Sequence, residues 1–448
     1  MIINGIILSI LNALLIGITV YNYWDKNEDT IIRVCNGMYL GLVITSILFW
    51  LYTVIGNGQN GLYPAFELLL GMIIWCISCR HARKGKKDVC KENNKNSLID
   101  DYIAVVIIIL IAVLVLGRLK LYPWGNWDAV AMWNIKASFL ANGNEGMWLR
   151  MFDNVFDSAH RDYPLALSCI VARGFVFSNS GFWLIPGVYS LFFTISCFIL
   201  LYIYLKKAIN SFYGLCGIAL MSLTGNLALQ GSKESADILL VIFALIAFYQ
   251  LLKWGKRDGK DAPVLALIYL SSCLWIKNEG IPFFICGIVF ILLNIQRITY
   301  KNIWGLVLPI IPALLASFSV KYISFASNDL MKSALTNIDN FLDIELYINI
   351  LGYCFHNILP IAFWLIICPI VVCVVGRRKT PRIVLQLFGI PMFCYLIYGS
   401  AYIISPYDVL WHLEMSLPRV IIHYMPTLFF LTGIVIGYIN DKQPLKQI

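Results

Sequence analysis

Charge is scarce in this sequence. Only 13% of the 448 residues are charged, whereas 60% are hydrophobic, and the mean hydropathy is +0.76. This balance excludes an ordinary soluble enzyme and is typical of a polytopic membrane protein. The apolar runs are also far longer than the alternating segments of about ten residues that build an outer-membrane barrel. Because backbone groups inside lipid must be hydrogen-bonded within the chain, the sequence predicts an all-α fold.

The sequence also has no pattern typical of a disulfide framework or of a cleavable leader. The 13 cysteines are scattered and most lie inside apolar runs, so their spacing predicts no set of disulfides. The first apolar run has no basic segment before it and no small-residue cleavage site, and we therefore expect residues 2–23 to remain as a membrane span. The net charge of +9 does not indicate nucleic-acid binding, because the basic residues gather in short loops.

The distribution of basic residues predicts the orientation of the chain. The most basic stretch, residues 80–91, is expected in the cytoplasm, and the next span then carries the polar segment 119–162 to the outer side. The same rule places the basic loops near 253–260 and 376–382 inside and makes 441–448 a cytoplasmic tail. At about 20 residues a span, the apolar runs predict a bundle of about 12–14 transmembrane helices.

Three apolar runs between His160 and Asp237 do not fit this alternation. Both ends of this region are predicted to lie outside, so the number of full crossings must be even and one run must dip or break. Arg173 in the first run and Thr224-Gly-Asn226 at the end of the third are the two candidate break points. The sequence does not choose between them.

Polar residues gather at the predicted outer ends of the spans. A transporter more typically places its ionisable residues at mid-span, so this asymmetry favours a reaction at the outer leaflet. A carboxylate could accept a proton from a hydroxyl, cations could hold a phosphate, and aromatic rings could stack on a sugar. Five short patterns carry these groups: Trp127-Asp128 with Trp133 and Lys136, His160-Arg-Asp-Tyr-Pro164, Gly231-Ser-Lys-Glu-Ser-Ala-Asp237, Lys277-Asn-Glu-Gly280, and Trp411-His412 with Arg419.

Each candidate also has a structural alternative. Asp128 could simply cap the helix that follows it, and Lys136 could snorkel to the interface. Lys277 and Glu279 could pair only with each other. Arg419 starts the final span at the outer face, against the positive-inside trend, which indicates a bound anion.

Two further polar residues are predicted to have no role in catalysis or binding. Glu234 is expected to be a solvated loop charge. His423, one turn deeper in the last span than Arg419, is expected to pack between helices.

The five patterns together resemble the GT-C superfamily of polytopic glycosyltransferases, near the dolichyl-phosphate-mannose-protein mannosyltransferase and aminoarabinose transferase branch. The likeness runs from about Trp124 to Arg419. It implies a catalytic module over residues 101–440, with 119–162 as its outer catalytic loop carrying short amphipathic helices. Residues 1–100 lie outside the likeness and are predicted to be an N-terminal addition.

The resemblance implies a transferase that moves a sugar from a polyprenyl-phosphate carrier to an acceptor on the outer face of a membrane, expected to be the bacterial cytoplasmic membrane. Asp128 occupies the place of the catalytic acid, although Ala129 follows it where family members often have a second acid. The predicted donor-phosphate contacts are Lys136, Lys277, His412 and Arg419. The predicted substrate contacts are Trp127, Trp133, His160, Asp237 and Glu279.

The resemblance implies that no cofactor is required for this donor class. The sequence has no tight cluster of metal ligands, but Asp128 and Asp237 could share a divalent ion if they converge. The expected partners are the lipid-linked donor, membrane lipids and an unidentified cell-envelope or protein acceptor, with no nucleic acid. The alternative reading is a flippase or transporter of a polyprenyl-linked glycan or lipid, which would hold the same headgroup but need no base.

Overall fold

The computed structural model describes residues 2–82, 97–181, 183–224, 226–257, 261–299, 302–326, 337–362 and 367–440. It is 83% helix, and these residues contain no strand, so the predicted all-α class is confirmed. Most of the basic loop 80–91 and the whole predicted tail 441–448 lie outside the described residues.

The α-helices follow one another with short connections. In chain order they are α1 (Ile2–Trp24), α2 (Thr30–Ile55), α3 (Tyr63–Ala82), α4 (Ser97–Leu121), α5 (Ile135–Ala141), α6 (Ala166–Ser178), α7 (Leu184–Ala208), α8 (Ser211–Leu223), α9 (Asn226–Gly231), α10 (Ala236–Lys256), α11 (Val264–Ile276), α12 (Ile281–Leu293), α13 (Trp304–Val307), α14 (Ile311–Ser324), α15 (Ile344–Ala362), α16 (Cys368–Gly376), α17 (Arg382–Ile403) and α18 (Val409–Ile439). Segment 119–162 adds a π-helix, Ala129–Asn134, and two 3₁₀ helices, Met147–Phe152 and Asn154–Ala159.

Seven of the described helices are long and apolar enough to cross a membrane: α1, α2, α4, α7, α10, α17 and α18. Shorter apolar helices of 10–17 residues accompany them. The long helices are compatible with an integral membrane protein, as the composition predicts. The count of about 12–14 spans stays a prediction.

Helix α10 lies at the centre of the bundle and α4 at its edge. All of the apolar window of α10 is buried, against 17% of that of α4, whose exposed side chains are nearly all aliphatic. One hydrophobic core runs from Ile6 in α1 to Val435 in α18. The helices before residue 100 therefore share the core of the rest of the chain.

Helices α1 and α2 pack backbone against backbone. A Cβ added at Gly17 would lie 1.8 Å from the carbonyl oxygen of Gly37, and one added at Gly41 would lie 1.7 Å from that of Ala13. Only glycine permits this approach. The next helices pack against these two closely packed helices.

A buried ion pair ties α6 to α3. The Arg173 guanidinium donates to both carboxylate oxygens of Glu67, at 2.8 and 2.6 Å, and both side chains are fully buried. Asn12 of α1 donates to the same carboxylate at 2.9 Å. Helix α6 runs unbroken through Arg173, so a break at this residue is wrong: the charge is neutralised where it lies, and the helix has no need to open.

The parity of the crossings follows from the position of α6. Near its start Ser168 donates to the Trp133 carbonyl at 2.9 Å, and at its end Ser178 donates to the Ile2 carbonyl at 3.1 Å. The ring of Phe177 also lies 6.4 Å from that of Tyr63, at the start of α3. Both ends of α6 therefore lie at the end of the bundle that carries segment 119–162, and this first run dips without crossing.

The other candidate break point, near Thr224, lies between two helices. Helix α8 ends at Leu223 and α9 begins at Asn226. Helix α7 and the α8–α9 pair are then the two runs that traverse the bundle, which makes the number of crossings even. We call the end that holds segment 119–162 the site end, and the other the far end.

The far end has its own charge cluster. Lys253, near the end of α10, lies 2.5 Å from both Asp25 and Glu28, and all three side chains are buried. Arg257 reaches Asp25 at 3.0 Å. A cleft of about 460 Å³ opens beside them, between Trp24 and Trp254.

The Arg173–Glu67 pair is expected to be essential for the stability of the bundle. Glu67→Gln should leave the guanidinium buried with no counter-charge and lower the free energy of unfolding by about 3–5 kcal/mol. Replacing both partners together, Glu67→Leu with Arg173→Met, should recover most of that loss. Unfolding in detergent measures both effects.

The control is Asp153→Asn, which breaks an exposed pair with Arg150 whose atoms lie 3.5 Å apart. Such pairs contribute less than about 1 kcal/mol. If Glu67→Gln is no more destabilising than this control, the ion pair does not have the role given to it here.

Candidate active site

Segment 119–162 turns sharply into its helices just before Asp128. Gly125 has a φ of +68°, and a Cβ there would lie 2.8 Å from the carbonyl oxygen of Lys233. The side chain of Asn126 accepts a hydrogen bond from the Ala129 backbone N–H at 3.0 Å. The capping function expected as the alternative for Asp128 thus belongs to Asn126, and the Asp128 carboxylate makes no capping bond.

Asp128 instead forms an ion pair with Arg419, 291 residues further along the chain. The side chains of Asp128 and Arg419 are 19% and 27% exposed, so the pair lies at the surface of the bundle without being fully solvated. The π-helix that follows Asp128 has wider turns than an α-helix, a feature often found at functional sites. The first and last of the five sequence patterns meet at this pair.

A second group of charges lies beside it, and we call Asp237, Lys277, Glu279 and His423 the buried charge cluster. Three of these side chains are buried, and that of Glu279 is 22% exposed. The Lys277 amine lies 2.8 Å from Asp237 Oδ1 and 2.8 Å from Glu279 Oε1. His423 Nε2 lies 2.6 Å from the same Asp237 oxygen. The alternative that Lys277 and Glu279 pair only with each other is therefore wrong, because the amine bridges two carboxylates.

Tyrosines complete the surroundings of Glu279. The Tyr163 hydroxyl donates to its carboxylate at 3.4 Å, and the Tyr398 hydroxyl donates to its backbone carbonyl. Next to it, Asn278 donates to Asp162 at 2.8 Å. The second and fourth sequence patterns are joined by these contacts.

The ion pair and the buried charge cluster act on each other electrostatically. Arg419 lies within range of the charges of Asp237, Asp128 and Glu279. Lys233 adds a further cation: burial and then the charge of Arg419 lower the pKa of its amine, while Asp237 and Asp128 oppose that shift. The site therefore brings several cations and carboxylates close enough to influence one another.

His412 lies at the edge of this site. Its Nδ1 is 2.8 Å from the Ser405 hydroxyl, and its ring lies 4.9 Å from that of Tyr402. The charges of Arg419 and Glu279 reach it.

Lys136 does not point into the site as a free cation. Its amine is fully buried and donates to the backbone carbonyl of His160 at 2.8 Å. Burial lowers the pKa of Lys136 to about 7, against an opposing effect of Asp162. The geometry supports neither phosphate binding nor snorkelling by Lys136. Its hydrogen bond instead stabilises the loop at His160, which has a φ of +48°.

The two tryptophans beside Asp128 have opposite environments. Trp127 is 61% exposed, which leaves its ring accessible. Trp133 is 1% exposed and its ring packs 6.0 Å from that of Tyr163. Stacking on a substrate, predicted for both, is not supported for Trp133 because no face of its ring is accessible.

Glu234 is not the solvated charge that the sequence predicts. It is 4% exposed, has a φ of +54°, and accepts a hydrogen bond from Asn134 at 2.9 Å. Burial raises the pKa of Glu234 to about 7, and the Asn134 hydrogen bond opposes that shift. Gly125 and Gly187 leave the space that this side chain occupies.

His423 was expected only to pack between helices, and its part in the buried charge cluster was missed. The available signal was its position four residues after Arg419, which puts both side chains on one helix face. The described residues hold no group of three or more His, Cys, Asp or Glu side chains placed to bind a metal ion.

Comparison of the chain with protein-family models, with curated proteins and with solved structures finds no match. The likeness to GT-C glycosyltransferases therefore rests on the sequence patterns alone and stays a prediction.

Glu234 makes the stability of the site end depend on pH. Its neutral form is favoured in the folded state, so its contribution is complete below its ordinary pKa of 4.5 and is lost as the pH rises through about 7. Glu234→Gln should abolish that dependence. The difference in unfolding free energy between wild type and variant should change by at most about 3 kcal/mol between pH 4.5 and 7, since one pH unit corresponds to about 1.4 kcal/mol.

Chemical unfolding at a series of pH values tests this. Glu145→Gln, the same substitution at an exposed residue of segment 119–162, is the control. A wild-type profile parallel to that of Glu234→Gln would contradict the account.

Proposed function

We propose that this protein is a membrane glycosyltransferase that moves a sugar from a polyprenyl-phosphate donor to an acceptor hydroxyl on the outer face of a bacterial cytoplasmic membrane. The observation that carries the proposal is convergence. Asp128, Asp237, Lys277, Glu279 and Arg419 come from four sequence patterns, and direct contacts gather them into two adjoining charge groups. A random distribution of loop charges would not pair in this way.

The residues suit the chemistry of such a donor. The acceptor oxygen attacks the anomeric carbon, the bond from that carbon to the phosphate oxygen breaks, and the lipid phosphate leaves with the electron pair. The acceptor proton goes to the Asp128 carboxylate. Arg419, with Lys277 beside it, stabilises the charge that develops on the leaving phosphate. Attack opposite the leaving group inverts the anomeric centre.

The Asp128–Arg419 ion pair suggests how the base is released. Without a donor, the Arg419 guanidinium occupies the Asp128 carboxylate. A phosphate that binds Arg419 competes for the same guanidinium, because phosphate and carboxylate suit it equally well. Donor binding then frees Asp128 for proton transfer.

Transport of a lipid-linked glycan remains the second candidate, and one observation favours it. Asp237 and His423 are buried inside the bundle, where ionisable residues often line a transport path. A transporter would need the cations but no base, so Asp128 distinguishes the two functions.

Asp128→Asn is expected to lower the transfer rate about 10²–10⁴-fold, the usual contribution of a general base. Binding of the donor should be retained, because the cations remain. The measurement is sugar release from a panel of polyprenyl-phosphate sugars by the purified protein, together with donor binding. Asp153→Asn is the matched control: it is the same substitution in the same outer segment, at an exposed residue.

Equal transfer by Asp128→Asn and Asp153→Asn would refute the role of Asp128. Translocation of the glycan without sugar release, indifferent to Asp128→Asn, would identify a transporter.

Arg419→Gln should weaken both steps. It removes one charge-assisted contact with the leaving phosphate, so the rate should fall about 10²–10³-fold, and binding of sugar-free polyprenyl phosphate should weaken as well. Arg419→Lys should recover binding in part, since it keeps the charge but not the planar fork. Unchanged binding of the lipid phosphate by Arg419→Gln would place the phosphate elsewhere.

A further inference from the structure

The cleft at the far end of the bundle, which we call the far-end cleft, is large enough to hold a ligand. Its volume of about 460 Å³ lies within the range of about 300–1,000 Å³ that is typical of small-molecule sites. Tryptophan rings and the first turn of α11 line part of it. The charged side chains that line it are Asp25, Lys253, Arg257 and Asp261. The far-end cleft therefore combines polar and apolar surface.

Most of the charge at this cleft is already compensated within the protein. The Lys253 amine lies 2.5 Å from both Asp25 and Glu28, and the Arg257 guanidinium lies 3.0 Å from Asp25. The two cations of this group balance its two carboxylates. A ligand that is neutral as a whole leaves this balance undisturbed, whereas an added net charge of either sign disturbs it.

Two charged side chains of the cleft can still bind a ligand. The side chain of Arg257 is 50% exposed, and only its Nη2 is bonded to Asp25, so the rest of its N–H fork is free to donate. Asp261 is exposed and accepts from the neutral Asn302 amide at 3.2 Å. Its carboxylate has no cation as a partner among the described residues. The cleft thus offers one donor for an anion and one acceptor for a cation.

Arg257 and Asp261 line the same cavity because the chain turns back on the end of α10. The Trp254 indole N–H donates to the Asp261 backbone carbonyl at 2.8 Å. The Arg257 backbone N–H donates to the Trp254 carbonyl at 3.2 Å and ends the helix. Both charged residues are therefore tied to one tryptophan, and the anion and the cation that they favour can belong to a single molecule.

An exposed apolar surface begins at the edge of the cleft. Gly305 lines the cleft, and a Cβ added there would lie 2.9 Å from the Ala262 Cβ, so α13 lies close against the residues that precede α11. Helices α13 and α14 and their connection expose large apolar side chains, namely Trp304, Val307, Leu308, Leu315 and Phe318. Trp24, 46% exposed, is of the type that lies at headgroup level in membranes. A ligand with a polar head in the cleft can thus lay apolar chains on this surface.

We propose that the far-end cleft binds a phospholipid whose headgroup carries both a phosphate and a primary ammonium group, as in phosphatidylethanolamine. The phosphate accepts from the free edge of Arg257, whose planar fork suits phosphate. The ammonium donates to the Asp261 carboxylate. An anionic glycerol headgroup leaves Asp261 without a cation, and a quaternary choline has no N–H to donate. This site lies outside the candidate active site and does not depend on the proposed function.

The test is lipid binding by the full-length protein in detergent, followed by native mass spectrometry. The probes are the dioctanoyl forms of phosphatidylethanolamine, phosphatidylglycerol and phosphatidylcholine, and glycerophosphoethanolamine, which has the same headgroup but no acyl chains. We expect phosphatidylethanolamine to bind at least about tenfold more tightly than each of the others. One hydrogen bond to a charged group contributes about a factor of ten or more, and the chains add the burial of apolar surface.

Variants assign the preference to the cleft. Arg257→Gln removes the phosphate contact and should weaken binding of phosphatidylethanolamine at least about tenfold. Asp261→Asn removes the ammonium contact, and it should weaken the same binding about tenfold without weakening that of phosphatidylglycerol. Arg150→Gln and Asp153→Asn are the matched controls, the same substitutions in an exposed pair of segment 119–162, and should keep the full preference.

Several results would overturn the proposal. If phosphatidylglycerol binds as tightly as phosphatidylethanolamine, the ammonium is not recognised. If phosphatidylcholine binds at least as tightly, the aromatic rings and not Asp261 hold the headgroup. Equally tight binding of glycerophosphoethanolamine would identify a site for a soluble molecule. A preference that survives in both cleft variants would place the lipid elsewhere, and loss of all lipids by Asp261→Asn would show a disturbed fold and refute the assignment to this carboxylate.

Discussion

Lys277 holds two carboxylates inside the bundle, and the arrangement of the site end depends on this amine. Asp237 opens α10, Glu279 lies between α11 and α12, and His423 joins from α18. Burying charges is costly, and the cost is recovered only if every partner is in place. Helices α10, α11, α12 and α18 are therefore fixed relative to one another beside the Asp128–Arg419 pair.

Helix α10 extends the same constraint through the molecule. It is buried along its apolar length, carries Asp237 at one end and Lys253 at the other, and each of these residues is neutralised by partners from other parts of the chain. Charge compensation at both ends fixes the position of α10 along its axis and its rotation about that axis. The Arg173–Glu67 pair fixes the position of α6 in the same way. Helix α6 in turn supports the π-helix that follows Asp128, because Ser168 donates to the Trp133 carbonyl.

The sequence was sufficient to predict the helical class and the location of the polar patterns, because both follow from the local pattern of hydrophobicity. It could not predict pairings between distant residues. Glu234 reads as a solvated loop charge until Gly125 and Gly187 open a space for it, and Trp133 reads as an interface aromatic until α6 covers it. His423 was missed because a histidine in an apolar helix shows no partner, and Asp237 lies 186 residues away.

The most direct test of the central claim is a cryo-electron microscopy map of the Asp128→Asn variant in a lipid nanodisc with a polyprenyl-phosphate sugar bound. The variant slows turnover and keeps the cations that hold the donor. The account predicts the phosphate within hydrogen-bond distance of Arg419, with the sugar beside residue 128. A donor bound at the far end, beside Lys253 and Trp254, would contradict it.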